Sequence, residues 1–127
     1  MIILDASALT EFLCQSAKHP QVSKRLASEK QVLAPSLIDL EVTNSLRRQC
    51  AKKALTIERA EEALSDLRDF PMRRYAHGPL LGRVWELRHR FTAYDASYIA
   101  LAELLEVPLV TCDSKLAEAG SIVEVIE

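Results

Sequence analysis

Short apolar runs alternate along this chain with longer stretches in which apolar residues recur every three or four positions. Ile2-Ile3-Leu4 is too short for a helix and has the composition of a buried strand. Ser7 is placed to cap a helix through Leu13, and Pro20 suits the first turn of a second helix ending near Ser28. Gln31 to Ala34 reads as a strand. Ser36 then opens a long helix, with Asp39 three residues on as an imperfect capping box. Leu37, Leu40, Asn44 and Arg47 follow one row of that helix, and Ile38, Val42 and Ser45 another. Thr56 caps an amphipathic helix carrying Ile57, Ala60, Leu64 and Leu67. Pro71 to Tyr75 is a candidate strand, and Gly78-Pro79 starts a helix with Leu80, Val84, Leu87 and Phe91. Thr92 precedes a helix from Tyr94 to about Leu105. Leu109 to Thr111 is a buried strand, Ser114 to Ala119 a short helix, and Val123 to Ile126 the last strand. Strands alternating with helices imply a parallel sheet covered on both faces.

The 127 residues suit one domain, residues 1–127, with no repeat, linker or low-complexity run. A hydrophobic fraction of 49% is enough for one real core at this length. Cys14, Cys50 and Cys112 are an odd set without C-x-x-C spacing, which predicts reduced thiols in a cytoplasmic protein. The apolar start lacks the basic residues of a signal peptide, and no apolar run is long enough for a membrane helix. Net charge is −2, but it is unevenly spread. From Arg47 to Arg90, eleven basic residues face six acidic ones; from Phe91 onward, Lys115 alone faces seven acids. Solvated helix faces explain most of that asymmetry, and a positive rim beside a negative site is the sharper reading.

Four acids change the picture. Asp5 follows Ile2-Ile3-Leu4 directly, and Asp113 comes two residues after Leu109 to Thr111. In a parallel sheet both fall on the strand ends where ligands bind. Glu41 lies between Leu40 and Val42, inside a helix, and Asp95 opens another. Each has a plainer role open to it. Asp5 and Asp113 are good helix caps, and Asp95 complements a helix dipole. Glu41 has no cap to supply. Asp39, two residues away, faces elsewhere on the helix. Converging carboxylates repel each other, and a hard divalent cation that takes oxygen ligands relieves the repulsion. The set therefore reads as a metal-dependent site, with phosphodiester chemistry its leading use.

Other chemistries fit less well. Neither G-x-x-x-x-G-K-[ST] nor G-x-G-x-x-G occurs, and three glycines leave little for a phosphate-cradling loop. His19, His77 and His89 lack ligand spacing, Ser7 has no triad partners, and aromatics are too few for a base-stacking platform. Asp5-Ala6-Ser7 lacks the second Asp of a D-x-D phosphotransferase pair. A receiver-like switch needs an acidic pair by the first strand and a late Lys that Lys115, so close to Asp113, does not supply.

At these positions the chain resembles a PIN domain, specifically a VapC-type toxin of a toxin–antitoxin pair. The matching pieces are Ile3-Leu4-Asp5-Ala6-Ser7, Pro35 to Asn44, Thr92 to Ala102 and Pro108 to Leu116, in the right order over nearly the whole chain. The Tyr94-Asp95-Ala96 and Thr111-Cys112-Asp113 blocks at this spacing are the most specific. The resemblance implies a three-layer α/β/α sandwich with a mostly parallel central sheet. It implies an endoribonuclease dependent on Mg²⁺ or Mn²⁺, one or two ions of which bind Asp5, Glu41, Asp95 and Asp113. Ser7, Asn44, Thr111 and Ser114 match the polar positions that support these acids. Cys112 departs from the pattern, where Asn is common, and is expected to pack away from the metal as a small apolar group. A cognate VapB-type antitoxin is implied as partner, in a homodimer or a toxin–antitoxin hetero-oligomer. Phe12, Leu13, Val22 and Leu26, with Ile57, Ala60 and Leu64, are candidates for the groove that takes its arm, although a core role suits most of them. Arg47, Arg48 and Arg90 are candidates for holding substrate phosphates. Two rival readings keep the fold: an inactive binding module, and an RNA-processing nuclease without an antitoxin.

Overall fold

The computed structural model describes residues 1–127. Its centre is β1 (Ile2–Leu4), every residue of which is fully buried. On one side β1 pairs with β2 (Val32–Pro35), which pairs with β3 (Arg73–Tyr75). On the other it pairs with β4 (Leu109–Thr111), which pairs with β5 (Val123–Val125). All four pairings are parallel, giving the order β3-β2-β1-β4-β5. Ile3 stands opposite Leu33 in β2 and Leu109 in β4. The chain builds outward from β1 to one edge, then returns to build the other half, so the order switches between β1 and β4. Strand ends diverge at such a point and leave a crevice.

Helices cover both faces. The helix α1 (Ala6–Cys14) packs against α2 (His19–Ala27), α3 (Ile38–Ala51) and α4 (Ile57–Asp69). The opposite layer is α6 (Ala93–Leu105), which lies on β1, β2 and β4 with α5 (Leu81–Glu86) against it. Residues Ala96 to Ala102 of α6 are all buried, which explains the near absence of polar residues there. The expected three-layer α/β/α sandwich is what forms, with a sheet that is parallel throughout.

Local chemistry decides several boundaries differently from the pattern. Asp5, not Ser7, caps α1, its carboxylate accepting from the Ala8 N–H at 3.0 Å. The Ser36/Asp39 capping box does not form. α3 begins at Ile38 without a side-chain cap, and Asp39 instead takes a bidentate pair from Arg74 on β3, at 2.7 and 2.9 Å. The helix expected through Phe91 is a short 3-10 turn, Gly78–Leu80, running into α5, which ends at Glu86. Ser114–Ala119 is also 3-10, and Gly120 after it has φ 106°, a conformation that suits glycine at the entry to β5.

Thr56 and Thr92 do cap α4 and α6, accepting from the N–H groups of Arg59 and Asp95 at 3.1 Å each. The Thr92 cap fixes the turn that carries Asp95. Thr92→Ala is expected to lower the free energy of unfolding by about 1 kcal/mol in urea titration. An unchanged midpoint would show that α6 is held by its burial alone.

Candidate active site

Asp5 leaves the end of β1 at the switch point and is only 5% exposed. A buried carboxylate needs donors on both oxygens. Oδ1 accepts from the Ser7 hydroxyl at 2.7 Å and from the Ala8 N–H at 3.0 Å, and Oδ2 accepts from the Thr111 hydroxyl at the end of β4. The two hydroxyls also lie 3.2 Å apart. Ser7 Oγ accepts from the Cys112 N–H at 3.0 Å, and Thr111 Oγ1 accepts from the Asp113 N–H at 2.9 Å. One knot of hydrogen bonds thus ties the end of β1 to the end of β4. Burial nevertheless pushes the Asp5 carboxyl up to about 6, with nearby Asp113 adding to the rise and the three donors opposing it.

The other acids reach the same cavity from separate elements. Glu41 projects from α3, half-buried, and its Oε1 accepts from the Tyr98 hydroxyl at 2.6 Å. Burial raises its carboxyl and Asp95 adds to the rise, against the pull of Tyr98. Asp95 stands in the first turn of α6, its side chain without a hydrogen bond. Burial raises it too, helped by Asp113 and opposed by Lys115. Asp113 caps the final 3-10 turn, its Oδ1 accepting from the Lys115 N–H at 3.0 Å. All four acids line one polar cavity with Ala6, Ser7, Thr10, Asn44, Ser45, Arg48 and Tyr98.

The supporting residues divide. Ser7 and Thr111 bond the acids directly. Asn44 lines the cavity but bonds no acid; its Oδ1 accepts from Arg47 Nε at 3.0 Å. Ser114 is exposed and makes no hydrogen bond to the acids. Cys112 lies outside the cavity lining and packs against the core, where burial and the charge of Asp5 push its thiol up to about 11. Of the three candidate phosphate-binding arginines, Arg48 alone lines the cavity. Arg90 is spent on the Glu118 carbonyl at 2.6 Å and on the Phe91 ring. Asp39 is held by Arg74 on the side of β3. Of the proposed groove residues, Leu13 and Val22 belong to the core and Phe12, Leu26, Ala60 and Leu64 pack against it. Ile57 is open.

Tyr98 is the residue the pattern missed. In the sequence it looks like one more large side chain in a buried helix. Its burial and its bond to Glu41 push its own ionisation far up, so it stays a neutral donor. The one available signal is its place three residues after Asp95, on the same helix face.

The donor set suits a hard cation: four carboxylates, with no His or Cys in the lining. As the side chains lie, no three of them are closed on a single point. Asp5 is tied through both oxygens, Glu41 and Asp113 each through one, and Asp95 through neither.

A PIN-domain family model matches residues 2–122. The chain is 41% identical over 121 residues to Ribonuclease VapC1 of Mycobacterium tuberculosis, covering 94% of this chain and 91% of that one. Its structure is similar to that of VapC20 of the same organism, a toxin that cleaves the sarcin–ricin loop. The TM-score is 0.73 at 19% identity, covering 94% of this chain and 95% of that one. It is also similar to a chain of a toxin–antitoxin complex from Klebsiella pneumoniae, with TM-score 0.70 at 20% identity, covering 100% of this chain and 98% of that one.

A carboxyl raised in the folded state stabilises the fold while protonated, and that contribution is lost as pH climbs from the unfolded value toward the folded one. For Asp5 the window runs from about 4 to about 6. In chelator, unfolding free energies of the wild type should fall relative to Asp5→Asn across that window, by up to about 3 kcal/mol. A difference that is flat from pH 4 to pH 7 would contradict a strained, buried Asp5.

Proposed function

This chain belongs to the PIN-domain family, among its VapC ribonucleases, and from that footing we propose that it is a metal-dependent endoribonuclease acting as the toxin of a toxin–antitoxin pair. The observation that carries the reading is the convergence of Asp5, Glu41, Asp95 and Asp113, from four separate segments, on one cavity at the switch point of the sheet. These four would hold Mg²⁺ or Mn²⁺. The ion, when bound, supplies a water of lowered pKa, a polarised phosphoryl oxygen and a stabilised leaving oxygen. The protein's own share is positioning. Ser7, Thr111 and the Ala8 N–H hold Asp5 rigid, and Tyr98 holds one oxygen of Glu41 while the other makes no hydrogen bond. Glu41, with one oxygen left unbonded, is the group placed to accept the proton of an attacking water.

The partners follow from the same family. A VapB-type antitoxin would cover the active face and neutralise its acids with a basic side chain. Leu81 and Trp85 on α5 and Tyr94 on α6, all exposed, give a second copy of the chain an apolar surface to bury. No helix of the chain is long and apolar enough to cross a membrane.

Expressed without its antitoxin, the protein should arrest growth, and the purified protein should cleave RNA until chelator is added. Asp95→Ala should relieve the arrest and slow cleavage roughly 100-fold or more, the scale of losing one electrostatic contact to the reacting group. A toxic Asp95→Ala protein with an unchanged cleavage pattern would remove Asp95 from the reaction.

A further inference from the structure

The cavity has an end that the four acids do not occupy. Glu41, Asn44, Ser45 and Arg48 are three or four residues apart on α3 and share one face. At 1.5 Å per residue, Arg48 lies about 10 Å along the helix from Glu41. Thr10 faces this stretch from α1. The polar groups here have donor capacity to spare. Asn44 Oδ1 is taken by Arg47, which leaves its amide N–H groups unspent. Ser45 Oγ accepts from Gln49 at 3.2 Å, which leaves its hydroxyl proton unspent. Thr10 Oγ1 is buried without any partner, in a residue 7% exposed. Arg48 makes no ion pair or hydrogen bond through its guanidinium, although four carboxylates line the same cavity. A free cation among unspent donors, with no acid at that end, matches a ligand that carries charge on several acceptor oxygens.

We infer that Asn44, Ser45 and Arg48 form a subsite for the phosphate that neighbours the scissile one, so that single-stranded RNA runs from the four acids along the cavity face of α3. The inference rests on the nuclease reading and deepens it. An acidic cavity repels a polyanion, and a cation one step along the strand offsets that repulsion where the backbone enters. Asn44 then serves the substrate and not the acids.

The test is fluorescence anisotropy of a labelled single-stranded oligouridylate with the Asp95→Asn protein, which slows cleavage, across a NaCl series. Adding Arg48→Gln should weaken binding and reduce the slope of log affinity against log salt by about 0.7, the value of one single-strand phosphate contact. Adding Arg90→Gln should leave the slope unchanged. Asn44→Ala should weaken RNA binding in the same background and, introduced alone with Asp95 intact, leave Mn²⁺ affinity, read by calorimetry, within about twofold, whereas residues supporting metal ligands typically lose 10- to 100-fold. An unchanged slope in Arg48→Gln, or a lost Mn²⁺ affinity in Asn44→Ala, would overturn the subsite while the nuclease reading stood. A parent protein that binds no RNA would overturn both.

Discussion

Everything at this site depends on keeping one carboxylate buried between two strand ends. Asp5 is only 5% exposed, so its charge is met mainly by protein donors, and those donors come from both sides of the switch point. Ser7 and Ala8 follow β1, and Thr111 ends β4. The same contacts orient the chain after each strand: the Asp5 cap starts α1, and Thr111 fixes the turn that delivers Asp113. Even so, the donors do not fully compensate for burial. The fold holds a carboxylate it disfavours at the switch point of the sheet, beside Asp113.

The site is unequal in stiffness as a result. Asp5 is held through both oxygens and Glu41 through one, while Asp113 accepts only a backbone N–H and Asp95 accepts nothing through its side chain. The site is thus tied most tightly on the β1 side and most loosely at Asp95 on the α6 side.

Much of this was legible in the sequence, for identifiable reasons. β1 and β4 are apolar runs buried on both faces, so their ends, and hence Asp5 and Asp113, could be placed without knowing the partners. Glu41 stood out because a mid-helix acid between Leu40 and Val42 has no local use. What the sequence hid were pairings between distant segments. The bond from Tyr98 to Glu41 spans 57 positions, and Arg74 reaches Asp39 across 35. The second of these draws Asp39 away from the capping box that local pattern favoured. Neighbouring Arg47 and Arg48 cannot be told apart by composition. A 100° step around α3 sends one to Asn44 and the other into the cavity. The candidate antitoxin-groove residues meet the same limit: an amphipathic helix shows its apolar face to a core or to a partner with the same spacing, so Leu13 and Val22, in the core, look no different from Phe12 and Leu26, which line an open surface pocket.

The most direct measurement is a calorimetric titration of the metal-free protein with Mn²⁺, set beside a variant combining Asp5→Asn and Asp95→Asn. Saturable binding to the wild type and its loss in the variant are expected, with both proteins folded by circular dichroism. Equal Mn²⁺ binding by the two would show that the converging acids are not the metal site.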